Sequence, residues 1–207
     1  MTVTEAGTRE RLLAGAISLL EQGGEAAVRV ETVAAMAGVA RPSLYHFFGD
    51  RDGLIIAAQA ERYKESLFFN LEFQTEATRN CKTRDEFIDL ISNALSYLTH
   101  PDGEKRRQVR VEVLGSSVSR PRLRALIAEA DQHASRGLGA LLRIAQDRGW
   151  LTTTFDLDVA ATWWFGMMNG RYLVEGESSS TLVRREWDSI ATHTVLAVLF
   201  GEIKAIV

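Results

Sequence analysis

The 207 residues are 46% hydrophobic and 25% charged, with a net charge of −3 and a single cysteine, Cys81. This is a globular composition, and it excludes a disulfide scaffold, a low-complexity chain and a polybasic surface. With no thiol partner for Cys81, a reducing, cytoplasmic setting is expected; Met1 to Glu10 lacks the apolar core of a secretory leader, and the longest apolar run, Val195 to Phe200, is too short for a bilayer, so no membrane partner is expected.

The apolar period is helical almost throughout. Leu12, Leu13, Ala16, Ile17, Leu19 and Leu20 form a stripe at three- and four-residue spacing, stopped by Gly23-Gly24. A short helix with Val30, Val33, Ala34 and Ala37 on one face ends at Gly38, and a second short helix starts near Pro42 and buries Leu44, Phe47 and Phe48. Asp50 caps a long helix from Arg51 to about Leu71. Thr83-Arg-Asp-Glu86 is a capping box opening a helix with Phe87, Ile88, Ile91, Leu95 and Leu98.

His100-Pro-Asp-Gly103 is a turn, and the following helix ends near Ser116. Ser119-Arg-Pro121 opens a long helix that Gly149 ends; Asp156 or Asp158 caps the helix carrying Trp163, Trp164, Met167 and Met168. Glu175 to Ser180 is a polar loop, and the last helix runs from about Leu182 to Ile203. No strand pattern of useful length and no repeat occurs, so the fold class is all-α, with a boundary near residue 50.

Val30 to Phe48 has the proportions of a helix-turn-helix. Val33, Ala37, Val39, Leu44 and Phe47 supply a small core, which leaves Arg41, Pro42, Ser43, Tyr45 and His46 outward. An arginine, short polar groups and rings suit the edges and backbone of a major groove. The local charge does not add to this, since residues 1–55 carry five arginines against seven acids. The case for DNA therefore rests on where the arginines sit.

Thr8 to about Ala58 resembles the DNA-binding domain of the TetR family of transcriptional regulators. The resemblance is carried by Thr8-Arg-Glu-Arg-Leu-Leu-Ala14, the Gly23 stop, Val33-Ala-Ala-Met-Ala-Gly-Val39, Arg41-Pro-Ser-Leu-Tyr-His-Phe-Phe48 and Asp50-Arg-Asp-Gly-Leu54. It implies a three-helix helix-turn-helix domain over residues 1–50, followed over 51–207 by a larger helical domain for ligand binding and dimerisation. It implies no catalytic residue, cofactor or metal, and a double-stranded operator as partner. Arg41, Pro42, Ser43, Tyr45 and His46 are expected to approach bases or phosphates, with Arg29 and Arg51 on phosphates. Two departures stand out: Arg29 replaces the usual hydroxyl cap and is followed by Glu31, and Ala40 replaces the cap of the second helix. A lost cap costs about 1 kcal/mol. Glu31 either repels a phosphate or pairs with Arg29, and modest affinity with a steep salt dependence is expected.

In the larger domain, the apolar run Val195 to Phe200 needs cover on several sides, and Gly166-Met-Met-Asn-Gly170 permits close approach. A homodimeric four-helix interface from residues 158–174 and 182–203 is expected. A pocket between residues 60 and 170 is expected to draw on Tyr63, Phe87, Tyr97, Val109, Glu112, His133, Trp163, Met167 and Tyr172, a lining suited to an apolar small-molecule effector with one or two anchoring atoms. Lys105-Arg106-Arg107 and Arg110 are placed on an exposed helix face. The four histidines are scattered, and neither a metal spacing nor a nucleophile or phosphate-loop motif occurs.

The expected function is a ligand-responsive repressor. Two alternatives stand beside it: an all-helical small-molecule carrier or enzyme with a vestigial DNA-binding bundle, and a helical protein-interaction module. A carrier has no use for a basic, aromatic face at residues 41–46, and an interaction module would keep a large exposed apolar patch after dimerising.

Overall fold

A computed structural model of the chain describes residues 3–67, 71–176 and 180–201. They form ten α-helices and no strand: α1 Val3–Ala27, α2 Val30–Ala37, α3 Arg41–Phe48, α4 Arg51–Ser66, α5 Leu71–Asn80, α6 Arg84–Thr99, α7 Glu104–Ser117, α8 Pro121–Asp147, α9 Leu157–Gly170 and α10 Thr181–Phe200. Two 3-10 turns, Pro101–Gly103 and Arg171–Val174, precede α7 and follow α9. The chain divides into two compact units, Met1–Glu65 with Val113–Ile127, and Ser66–Glu112 with Ala128–Val207.

In the first unit, α1, α2 and α3 pack on one another around Leu12, Ala16, Leu20, Val33, Ala37, Leu44, Phe48, Leu54 and Ile55. Each large apolar side chain so buried contributes about 1.5–3 kcal/mol. The helix breaks are local chemistry. Gly23 and Gly24 take non-helical angles and kink α1. Gly38 ends α2 in the left-handed region (φ 67°), its N–H donating to the Ala35 carbonyl while that of Val39 donates to Ala34. Those two bonds satisfy carbonyls that the helix end would leave open. The Asp50 carboxylate accepts from the Gly53 N–H at 2.7 Å and caps α4.

The second unit is built around Phe87, Ile91, Leu95, Leu138, Leu141, Leu142, Trp164, Met168, Val195, Leu196, Leu199 and Phe200. Its caps follow the sequence. Thr83 Oγ1 accepts from the Glu86 N–H at 3.2 Å, although the reciprocal bond of Glu86 goes to the Lys82 N–H rather than to that of Thr83. Asp156 accepts from the N–H groups of Asp158 and Val159. Arg84 donates to the carbonyls of Trp150 and Phe200, and its guanidinium lies 5.1 Å over the Phe200 ring, tying the start of α6 to the end of α10.

Four expectations need correction. The helix from Arg51 stops at Ser66 instead of Leu71, and α5 follows unforeseen; among its described side chains only Thr78 is buried, so it lacks the apolar stripe that would have revealed it. The run Val195 to Phe200 does not await a second copy: Val195, Leu196, Leu199 and Phe200 are already buried against α6 and its neighbours in the same unit. Arg107 and Arg110 are buried, not on an exposed face. The loop from Glu175 begins with a buried carboxylate. Residues 177–179 of that loop, and the expected last helix beyond 201, lie outside the described residues.

Candidate nucleic-acid interface

The site begins with the turn. Because Gly38 closes α2 tightly, Val39 stays half-buried against the first core and α3 starts at once, with Pro42 in its first turn. Leu44 and Phe48, four residues apart, then pin α3 inward, and Phe47 packs half-buried beside them. The same spacing turns Arg41, Pro42, Tyr45 and His46 to solvent; Tyr45 is 49% exposed and Ser43 half-buried at the edge. Arg29, at the start of α2, is exposed as well. Neither Arg29 nor Ala40 makes a side-chain capping bond, as their side chains dictate.

Three arginines hold this frame. The Arg11 Nε donates to the Ala37 carbonyl at 3.1 Å, helping to satisfy the end of α2. The Arg9 guanidinium lies 5.5 Å over the Phe48 ring. Arg51, expected on a phosphate, donates Nε to the Val28 carbonyl at 2.6 Å and Nη2 to the Glu25 carbonyl, so these two donors secure the α1–α2 connection. Sequence reading missed the framing roles of Arg9 and Arg11; only their spacing from α2 and α3 in the fold reveals them.

Glu31 makes an ion pair with Arg41 (3.1 Å), across the turn, a partner other than the neighbouring Arg29 that the sequence offers as one of its two alternatives. A carboxylate on α2 thus partly neutralises the first cation of α3. A second electrostatic cluster lies deeper. The Glu25 carboxylate accepts from Ser116 Oγ (2.6 Å), Arg120 Nη1 and Nη2 (3.0 and 2.8 Å) and Gln59 Nε2 (3.2 Å), and Arg120 Nε reaches Asp52 at 2.9 Å. Burial pushes the Glu25 carboxyl up, but the bonds from Ser116, Arg120 and Gln59 together with the Arg120 charge outweigh it and hold the group below the usual carboxylate range. Arg120 moves up in turn, its burial outweighed by Glu25 and Asp52.

The nine residues expected at a pocket range from fully buried to exposed. Tyr63 is buried in the first unit, and Phe87 packs in the second core against Trp150 and Phe200. Tyr97, His133 and Trp163 are exposed; Glu112 is exposed and accepts from Gln108 at 2.9 Å; Val109, Met167 and Tyr172 are half-buried. A cavity in the second unit is lined instead by Ser66, Leu67, Leu98, Gly103, Arg106, Arg107, Arg110, Phe165 and Met168, none of them among the nine. Beside it lies a buried ion network missed from the sequence: Arg107 pairs with Glu175 and donates to the carbonyls of Leu98 and His100, and Arg171 pairs with Glu175 and Asp188. Among the described residues no group of three or more His, Cys, Asp or Glu is placed to hold a metal ion, and no helix is long and apolar enough to cross a membrane.

Residues 12–58 match the family described as bacterial regulatory proteins of the tetR family. Solved structures share the fold over nearly the whole chain. A TetR-family regulator from Mesorhizobium loti is 18% identical with a TM-score of 0.71, covering 96% of this chain and 100% of its own. One from Rhodococcus sp. is 20% identical with a TM-score of 0.67, covering 94% and 99%. SmeT, the repressor of the Stenotrophomonas maltophilia multidrug efflux pump SmeDEF, is 19% identical with a TM-score of 0.57, covering 92% and 89%. No curated protein matches the sequence. Residues 12–58 are thus similar to the helix-turn-helix of the tetR family, and the chain shares the helical fold of these solved TetR-family regulators over nearly its whole length.

Proposed function

We propose that the protein is a ligand-responsive repressor that binds a palindromic operator as a homodimer and leaves it when a small molecule occupies the second unit. The observation that carries this reading is the outward face of α3: Arg41, Pro42, Tyr45 and His46 stand in solvent on a two-turn helix anchored by Leu44 and Phe48. A helix of that size, polar outside and fixed inside, fits a major groove. Arg41, Ser43, Tyr45 and His46 contact bases or phosphates, Pro42 packs on the backbone, Arg29 takes a flanking phosphate, and Arg51 adds Nη1 while its other donors keep the turn.

The dimer is assigned to α9 and α10. Val159, Trp163 and Leu173, and on α10 Leu182, Val183 and Ile190, are large apolar side chains left in solvent, Val159 and Ile190 each at 65% exposure. Gly166 lies on the same exposed stripe of α9 and permits close approach. A second copy covers both stripes as a four-helix interface and sets two α3 helices on half-sites about 34 Å apart. Ligand releases DNA only to the extent that it binds one spacing better than the other. SmeT, which shares the fold, is described as an efflux-pump repressor, and that kind of control is what we assign here.

The test is selection of random duplexes by the purified protein, followed by sequencing. The reading predicts an inverted repeat with half-sites one helical turn apart, bound by a dimer and released by compounds that raise its melting temperature. Recovery of no enriched sequence would count against it.

A further inference from the structure

One guanidinium joins three stretches of the first unit that are far apart in the chain. Arg120, in the turn between α7 and α8, forks onto Glu25 near the end of α1, with Nη1 3.0 Å from Oε1 and Nη2 2.8 Å from Oε2. Its Nε donates to Asp52 Oδ1, in the first turn of α4, at 2.9 Å. Ser116 Oγ on α7 sits between the pair: it donates to Glu25 Oε1 at 2.6 Å and accepts from Arg120 Nη1 at 2.7 Å. Gln59 on α4, held by Arg62 Nη1 at 2.8 Å, adds a further donor to Glu25 Oε1.

Glu25 also touches the DNA-reading frame. Its backbone carbonyl accepts from Arg51 Nη2, while the Val28 carbonyl accepts from Arg51 Nε at 2.6 Å. Asp52 follows Arg51 directly at the start of α4. Arg120 therefore holds Arg51 in two ways, through Glu25 and through Asp52. The charges act in the same sense. Glu25 and Asp52 put two negative charges beside Arg51, and Arg51 and Arg120 balance them. Without Arg120, one negative charge stands uncompensated beside the arginine assigned to a phosphate. The Arg120 side chain is 20% exposed, so water screens these pairs only in part. A planar fork bonded to two carboxylates also fixes geometry in a way that a point charge on a flexible stem does not. The turn that carries it has a special place in the chain: Val113–Ile127 clusters with the first unit, yet α7 and α8 each run on into the second.

We propose that Arg120 is a positioning residue for operator binding: by gripping Glu25 and Asp52 it sets Arg51 on its phosphate, and it makes the α7–α8 turn part of the DNA-reading unit. The proposal rests on the reading of the first unit as an operator reader with Arg51 on a phosphate. Coupling of this kind is reciprocal. An operator that fixes Arg51 steadies the turn, and a turn displaced through α7 or α8 weakens the hold on the operator.

The experiment is fluorescence anisotropy of the full-length protein with the selected duplex at several salt concentrations, for the parent, Arg120→Met, Arg51→Met and the double variant, with melting temperatures alongside. Arg120→Met should weaken binding about tenfold and flatten the slope of log K against log salt by about 0.9 per half-site, the signature of one lost phosphate contact. Arg51→Met should do the same, and the double variant should bind no worse than Arg51→Met. A mere loss of fold would instead add to the effect of Arg51→Met and leave the slope unmoved. Ser116→Ala removes one hydroxyl from the grip and keeps the fold even where Arg120→Met does not; it should show a smaller loss of the same kind. Hydrogen exchange reads the reciprocal effect: the duplex should slow the amides of residues 116–120 roughly threefold in the parent and leave them unchanged in Arg120→Met. An unmoved slope, additive losses, or parent amides indifferent to the duplex overturns the proposal. A parent that loses affinity on Arg41→Ala but not on Arg120→Met overturns the positioning role alone, whereas a parent that enriches no duplex brings down the operator reading with it.

Discussion

Glu31 is the residue whose replacement tests the electrostatics of the α3 face most sharply. Its carboxylate lies 3.1 Å from Arg41 Nη1, and the two side chains are 57% and 61% exposed. In solvent such a pair contributes about 0.2–1 kcal/mol, and it must loosen when Arg41 turns to a phosphate or a guanine. A phosphate approaching Arg41 also meets the Glu31 charge; at a separation of about 7 Å through water that repulsion is about 0.6 kcal/mol. Together these terms set against binding about 1 kcal/mol, so Glu31→Gln should tighten operator binding roughly fivefold per half-site at low salt. It should also steepen the slope of log K against log salt by up to about 0.9 per Arg41 freed for phosphate. Fluorescence anisotropy with the selected duplex at several salt concentrations reads both. Unchanged affinity with parallel salt lines would refute the reasoning. Weaker binding would refute it too, and would show that Glu31 aims the Arg41 fork at a base.

Acid should weaken the first unit through Glu25. Because its carboxyl is held below its ordinary value, the stabilisation is full above about pH 4.3, the unfolded value, and fades as pH falls through the lower folded one. Glu25→Gln should therefore lower the urea midpoint clearly at pH 7 and progressively less below pH 4; a deficit that stays constant with pH would contradict the assignment. Ile190→Glu with Trp163→Glu should convert the dimer to monomer in sedimentation and lower operator affinity by a hundredfold or more, with helicity retained. Gly38→Ala, which forces a Cβ into the left-handed region, should cost about 1 kcal/mol and lower the melting temperature without changing the dimer.

Much of the first unit is legible from sequence because its signals are local. Gly38, Pro42, Asp50 and the spacing of Leu44 and Phe48 each act within a few residues, and a helix-turn-helix is little more than those signals in order. The partner of Glu31 was less legible. Arg29 is nearer in sequence, but the tight turn at Gly38 swings the start of α3 towards α2 and brings Arg41 to it. In the second unit the useful contacts are distant in sequence, such as Arg107 with Glu175, and a run like Lys105-Arg106-Arg107 looks solvated until α7 is placed. Val195 to Phe200 shows the same limit: an apolar helix end declares that it needs cover, not whether the cover comes from α6 of the same chain or from another copy. The nine residues expected at a pocket share only their residue types, and type does not distinguish Phe87 in a core from Tyr97 at a surface.

The central claim is that the solvent face of α3 touches DNA. It is tested most directly by operator affinity of Arg41→Ala and Tyr45→Ala, measured beside their melting temperatures and dimer mass. Both variants should melt and dimerise as the parent does while losing at least tenfold in affinity. Retention of the parent's affinity by both, with the fold intact, would contradict the claim.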